Sequence, residues 1–130
     1  MNYLNCKSFA KLNSCLHIIN RRDDGYHNIE SIFHTIDIYD TLSFKKNNNK
    51  NISFTCNSSL IDRNENLVTE AFDIMSHRYS KVSGLDIFLD KVIPIGAGLG
   101  GGSSNAAITL LAINKLFNLQ LSGNILKNIA

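Results

Sequence analysis

One segment restricts the possible folds of this chain more than any other. Ile93-Pro94-Ile95-Gly96-Ala97-Gly98-Leu99-Gly100-Gly101-Gly102-Ser103-Ser104 carries five glycines in twelve residues. Before it, Leu85 to Val92 alternates apolar and polar residues, as a strand does. After it, Ala106, Ala107, Leu110, Leu111, Asn114 and Phe117 recur at helical spacing from Ser103 onward. Glycine allows positive φ and a close approach of backbone to a ligand. Successive backbone N–H groups can then form an anion-binding concavity. The helix that follows adds its partly positive N-terminus and unpaired N–H groups. Ser103 and Ser104 place hydroxyls at the same point. Strand, glycine loop and helix together describe a cradle for a polyphosphate.

Three known phosphate motifs can be compared with it. A Walker A loop ends in Gly-Lys-Ser/Thr, but here Gly102 is followed by Ser103. Gly96-x-Gly98-x-x-Gly101 fits the dinucleotide fingerprint formally. That fingerprint also needs an acid about 20 residues on, and no Asp or Glu follows Asp90. A protein-kinase loop covers ATP from a β-hairpin, whereas a helix follows here. A flexible glycine linker would lack such abrupt strand and helix boundaries.

The rest of the chain predicts a mixed α+β domain. Residues 7–19 read as a strand region with Phe9, Leu12, Leu16, Ile18 and Ile19 apolar. Asp23-Asp24-Gly25 is a turn signal. Ile29 to Tyr39 is rich in β-branched and aromatic residues, and Leu42-Ser43-Phe44 resumes the pattern, which predicts two strands joined near Tyr39-Asp40. The run Lys45 to Asn51 predicts a hairpin tip, with Ile52 to Cys56 returning as a strand. In 66–81, Leu67, Ala71, Ile74, Met75 and Tyr79 share a helical face that ends before Gly84. Ser122 predicts the cap of a last helix containing Ile125, Leu126 and Ile129.

Composition narrows the partners. The chain has 44% hydrophobic and 18% charged residues and a net charge of +2. These values fit a globular domain acting on small molecules, with neither nucleic acid nor a membrane as main partner. No run of 18 apolar residues occurs, and residues 1–9 lack the apolar stretch of a secretory signal. Cys6, Cys15 and Cys56 match no zinc or redox spacing, so they read as small apolar fillers, reduced in a cytoplasm. His17, His34 and His77 lack metal-ligand spacing and read as structural.

Three blocks carry a family resemblance. They are Ala10-Lys11-Leu12-Asn13, then Arg22-Asp23-Asp24-Gly25-Tyr26-His27 followed by Ser31, Phe33, Asp40 and Leu42, and finally Pro94 to Ala107. In order and spacing they resemble the GHMP kinases, and within these the diphosphocytidyl-methylerythritol kinases. Ser14 and Cys15 depart from that pattern, standing where apolar residues are usual. The resemblance implies the GHMP N-terminal fold, a mixed sheet with helices packed on one side. It implies phosphorylation by ATP of the 2-hydroxyl of 4-diphosphocytidyl-2-C-methyl-D-erythritol, in the non-mevalonate route to isoprenoid precursors. Magnesium would accompany ATP through phosphate oxygens, with no protein metal ligand assigned.

The resemblance also assigns residues. Lys11 would be catalytic, facing the acceptor hydroxyl, although alone it reads as a solvated surface lysine. Asn13, two positions on and on the same face, would help hold the acceptor. Tyr26 and His27 would recognise cytosine by stacking and base-edge hydrogen bonds; alone they are turn-flanking residues. Asp24 reads as shaping the turn. Pro94, Ile95, Gly96, Ala97, Gly98, Leu99, Gly100, Gly101, Gly102, Ser103 and Ser104 would hold ATP. Asn66, Leu67 and Lys91 would lie near the adenine, although Asn66 also reads as a helix cap and Leu67 as core.

The family's chains are about twice as long, a two-domain length. Their catalytic aspartate lies in a Gly-Ala-Asp-Val-Pro-like segment beyond the helix that starts here near Ser122. Residues 1–130 are therefore expected to match an N-terminal ATP-binding domain cut short at its end, without the C-terminal domain. The alternative to a working kinase is a catalytically inactive remnant or nucleotide-binding fragment.

Overall fold

The computed structural model describes all 130 residues. Strands β1 (Tyr3–Arg21), β2 (His27–Lys46), β3 (Ile52–Cys56) and β4 (Leu85–Asp90) form one sheet in the order β1-β2-β4-β3. The β1–β2 and β2–β4 pairs are antiparallel, and β3–β4 is parallel. A parallel pair needs a long crossover. Helix α1 (Leu67–Arg78) lies in that connection, and α2 (Gly101–Leu116) and α3 (Gly123–Ile129) follow β4.

Period-2 alternation decides which face of the sheet is covered. Leu42 and Phe44 of β2 and Leu85, Ile87 and Leu89 of β4 are buried. They belong to one cluster with Phe72 and Met75 of α1, Ile113 and Leu116 of α2, and Leu126 and Ile129 of α3. Ser43 of β2 is half-buried, and Phe88 of β4 is 45% exposed. The expected α+β fold with its helices on one side of a mixed sheet is what forms.

Several boundaries differ from expectation. The sheet has one continuous β2 where two strands joined near Tyr39-Asp40 were expected. Phe9 pairs with Tyr39 but Lys11 with Thr35, so Ile36, Asp37 and Ile38 are accommodated opposite Ala10 as an irregular bulge. The change of pattern near Tyr39 reflects that bulge. Beyond it, β1 and β2 continue as a two-stranded ribbon to the Arg21–His27 pair.

The Lys45–Asn51 run is not a hairpin tip, because β4 lies between β2 and β3. The run wraps the start of β4 instead. Asn47 N–H donates to the Gly84 carbonyl (3.0 Å), Leu85 N–H to Asn51 (3.1 Å), and Asn47 Nδ2 to Asp86 Oδ1 (2.6 Å). A Cβ at Gly84 would overlap Asn47.

The helix stripes are also rotated. Helix α1 buries Val68, Ala71, Phe72 and Met75, while Leu67 is 46% exposed and Tyr79 is the C-cap. Helix α2 begins at Gly101, two residues before the expected start, and leaves Ala107 and Leu111 exposed. Ser122 caps α3 as expected, its Oγ accepting from Ile125 N–H (3.4 Å). Cys15 is exposed, against the filler reading, because it lies on the ribbon. Cys6 and Cys56 are half-buried, and burial pushes the Cys6 thiol up. No helix is long and apolar enough to cross a membrane.

Candidate functional site

The glycine loop takes the conformation its composition allows. Gly96, Gly98 and Gly100 have φ of 74°, 73° and 70°, while Ala97 and Leu99 between them do not have positive φ. Such alternation turns successive N–H groups toward one side and makes an anion nest. Gly100 is also the N-cap of α2, and no side chain caps that helix. Its first-turn donors are therefore not met by a capping group. No acidic residue sits in the first turn, so the helix dipole there is unopposed from within the helix.

Strand β1 fixes the loop from the side. Lys11 N–H donates to the Leu99 carbonyl (2.9 Å). Ser8 Oγ, fully buried, donates to Ser104 Oγ (2.8 Å). The Lys11 side chain then runs along Gly100, where a Cβ would stand 3.0 Å from Lys11 Cε. Lys11 Nζ donates to Asn13 Oδ1 (2.9 Å) and lies 5.5 Å from the Phe33 ring centroid. Lys11 is thus an oriented cation beside the loop, in place of a free surface lysine.

The floor of the loop is anchored by Asp40, whose carboxylate is fully buried. Its Oδ1 accepts from Val92 and Ile93 N–H, both at 2.7 Å. Its Oδ2 accepts from Asn105 Nδ2 (3.0 Å) and pairs with Lys91 Nζ (2.9 Å). Lys91 Nζ also donates to the Ile93 carbonyl. The ammonium expected near adenine is therefore engaged beneath the loop.

A cleft of about 460 Å³ opens over these elements, walled by the loop, Leu60, Ile61 and the start of α1. Asn66 is a true cap. Its Oδ1 accepts from Val68 and Thr69 N–H (2.9 and 3.0 Å), and its Nδ2 donates to the Asp62 carbonyl. Leu67 borders α2, with its Cδ1 3.2 Å from a Cβ built at Gly102. Backbone donors at Asn64 and Glu65 hold the Asp62 carboxyl below the usual range.

Tyr26 and His27 are not brought to the loop. They sit at the ribbon's turn, where Asp24 Oδ1 accepts from Tyr26 N–H (3.1 Å) and Asp24 pairs with Arg22 (2.6 Å). Gly25 there has φ 87°, so Asp24 shapes the turn as expected. Lys11 and Arg21 are ten positions apart along β1, and the register shifts between Asn13 and Cys15 and between Ile18 and Asn20 bend the ribbon between them. Sequence reasoning gave no role to Ser8 and Asn105 and treated Asp40 only as part of a motif. The available signal was parity, because Asp40 shares the inward face of β2 with Leu42 and Phe44.

Comparison with known proteins places this geometry. Residues 66–130, half the chain, match the family described as GHMP kinases N terminal domain. A 4-diphosphocytidyl-2-C-methyl-D-erythritol kinase of Francisella philomiragia is 45% identical, over 91% of this chain and 43% of its own length. The protein of that name from Thermodesulfovibrio yellowstonii is 44% identical over 91% of this chain and 40% of its own. The chain thus spans about two fifths of the length of these relatives.

A crystal structure of 4-(cytidine 5'-diphospho)-2C-methyl-D-erythritol kinase superposes with a TM-score of 0.81 and 31% identity, over 98% of this chain and 46% of that one. A homoserine kinase from Cytophaga hutchinsonii shares the fold at a TM-score of 0.72 and 16% identity, over 99% of this chain and 40% of its own. The loop, the sheet that carries it and these relatives converge on one assignment: the chain belongs to the GHMP kinases, through that family's N-terminal domain.

Proposed function

We propose that Gly96–Ser104 holds the phosphates of ATP for transfer of the γ-phosphate to the 2-hydroxyl of 4-diphosphocytidyl-2-C-methyl-D-erythritol. The observation that carries this is the run of alternating left-handed glycines ending on an uncapped helix N-terminus, with Lys11 beside it. The acceptor follows from the names of the relatives and from the Asp24-Gly25-Tyr26-His27 turn. Phosphoryl transfer is mostly positioning and charge stabilisation. The loop N–H groups and the α2 terminus would hold the phosphates. The Lys11 ammonium, steered by Asn13, would offset charge developing on the transferred group and the acceptor oxygen. Magnesium would arrive with the nucleotide and supply further charge neutralisation through phosphate oxygens.

Tyr26 and His27 would read the cytosine end of the acceptor from the ribbon's turn. His27→Ala should weaken the cytidyl substrate about tenfold or more, a lost base contact of about 1.5–3 kcal/mol, and leave ATP unchanged. Titration calorimetry with each ligand checks this. Equal losses for both would make His27 structural.

A second reading rests on coverage, since residues 1–130 match about two fifths of the length of the relatives. On that reading the 130 residues bind nucleotide without turning it over. In a coupled ADP-release assay with ATP, magnesium and the cytidyl substrate, the chain should run at least about 100-fold below a full-length relative, since one missing acid–base group costs 10²–10⁴-fold. Turnover within tenfold would reject this reading.

A further inference from the structure

We infer that Asp40 is the positioning residue of the glycine loop, acting through Lys91, Asn105 and the backbone at Val92–Ile93; the inference rests on the nucleotide reading of that loop. Four donors converge on this one carboxylate. Three belong to the residues leading into the loop: Val92 N–H, Ile93 N–H and Lys91 Nζ. The fourth, Asn105 Nδ2, lies in α2 on the loop's far side. A single side chain of β2, more than 50 residues away in sequence, therefore pins both ends of the cradle.

Packing alone gives no reason for a carboxylate here. Its inward neighbours on β2, Leu42 and Phe44, are apolar and fully buried. Removing two charges from water is costly, and a well-packed apolar pair is often as stable or more so. What the ion pair supplies is direction. Its oxygens fix the strand-to-loop bend, and its partner ammonium is held where a Cβ at Gly101 would come within 3.1 Å of Lys91 Nζ. Lys91 thereby supports the first residue of α2 from below, as a positioning group and not a phosphate ligand. Asn105 is oriented the same way. It lines the cleft, and its buried Oδ1 has no donor.

The test is titration calorimetry of the chain with ATP and with adenosine. Asp40→Asn keeps the shape but leaves the Lys91 ammonium without its counter-charge. ATP affinity should fall about 10- to 100-fold, the scale of a lost charged hydrogen bond or two. Adenosine affinity should change less than about threefold, because adenosine does not depend on the phosphate nest. Asp40→Asn with Lys91→Met removes both partners, leaves no stranded charge, and should recover at least half of the lost ATP binding energy.

Equal losses for ATP and adenosine, or no loss for ATP, would overturn the positioning role while leaving the nucleotide reading in place. Failure of the unmodified chain to bind ATP would overturn the nucleotide reading instead. Amide hydrogen exchange then decides the structural part: residues 96–104 should exchange faster in Asp40→Asn while α1 is unchanged, and equal rates would reject it. Should the single variant melt below the assay temperature, the double variant carries the comparison.

Discussion

Gly100→Val is expected to abolish ATP binding by this chain while the sheet and its helices stay folded. Gly100 has φ 70° and is the N-cap of α2. A β-branched residue in the left-handed region is a genuine outlier, costing on the order of 1–3 kcal/mol. The new Cβ would also stand 3.0 and 3.1 Å from Lys11 Cε and Cγ. Either the loop rotates out of its alternating conformation or Lys11 leaves Asn13. Rotation turns N–H groups away from the phosphates. Two lost charge-assisted bonds come to about 3–6 kcal/mol, or at least about 100-fold in affinity.

Two controls separate the causes. Gly98→Ala meets no atom within 4 Å but keeps φ 73°, so it isolates backbone strain. Gly123→Ala has open space and no positive φ and should leave ATP binding unchanged. Calorimetry on the three variants reads the result. Unchanged affinity in Gly100→Val would remove the loop from the phosphate site.

Phe44→Ala should cost about 3–5 kcal/mol, the range for a buried Phe truncated to Ala. Phe44 is fully buried on β2, in register with Leu4 on one side and Ile87 on the other. A typical domain has only about 5–15 kcal/mol in total, and this one leaves much of its ribbon uncovered. A drop of about 10–20 °C in melting temperature is expected. Phe33→Ala, on the same strand but 58% exposed, should cost less than about 1 kcal/mol. Circular-dichroism melts of both variants check this. Similar shifts at the two positions would mean that the ribbon, and not the helix-covered part of the sheet, carries the stability.

The loop was legible in the sequence because its rule is local. Glycine spacing, a strand before and an amphipathic helix after are all read within about 30 residues. The strands and helices were legible for the same reason. What escaped depends on partners distant in sequence. The bulge opposite Ala10 looked like a strand break, because irregular pairing breaks alternation as a turn does. The Lys45–Asn51 run looked like a hairpin tip, because adjacent strands usually pair, and nothing local says that β4 will insert between β2 and β3. Leu67 fits either side of the α1 stripe, and only α2 packing decides that Val68 is inside. Lys91 read as a cation just before the loop, and its ion-pair partner Asp40 lies 51 positions earlier. The Asp40 contacts span 51 to 65 residues, beyond any motif.

The β1–β2 ribbon bears on how this chain behaves in solution. β1 is the sheet's edge, 19 residues long. Past Lys11 its strand and that of β2 expose Leu16, Ile18, Ile19, Ile29, Ile32 and Phe33, each 46–60% accessible. A long, apolar, open edge is a template for adding another strand. Charge gives little protection there: between Leu12 and Asn20 the β1 edge carries no Lys, Arg, Asp or Glu. Self-association of the 130-residue chain should therefore begin at the ribbon and rise with concentration, whatever the state of the glycine loop. A charged residue in place of Ile18 is the change that would slow it most directly.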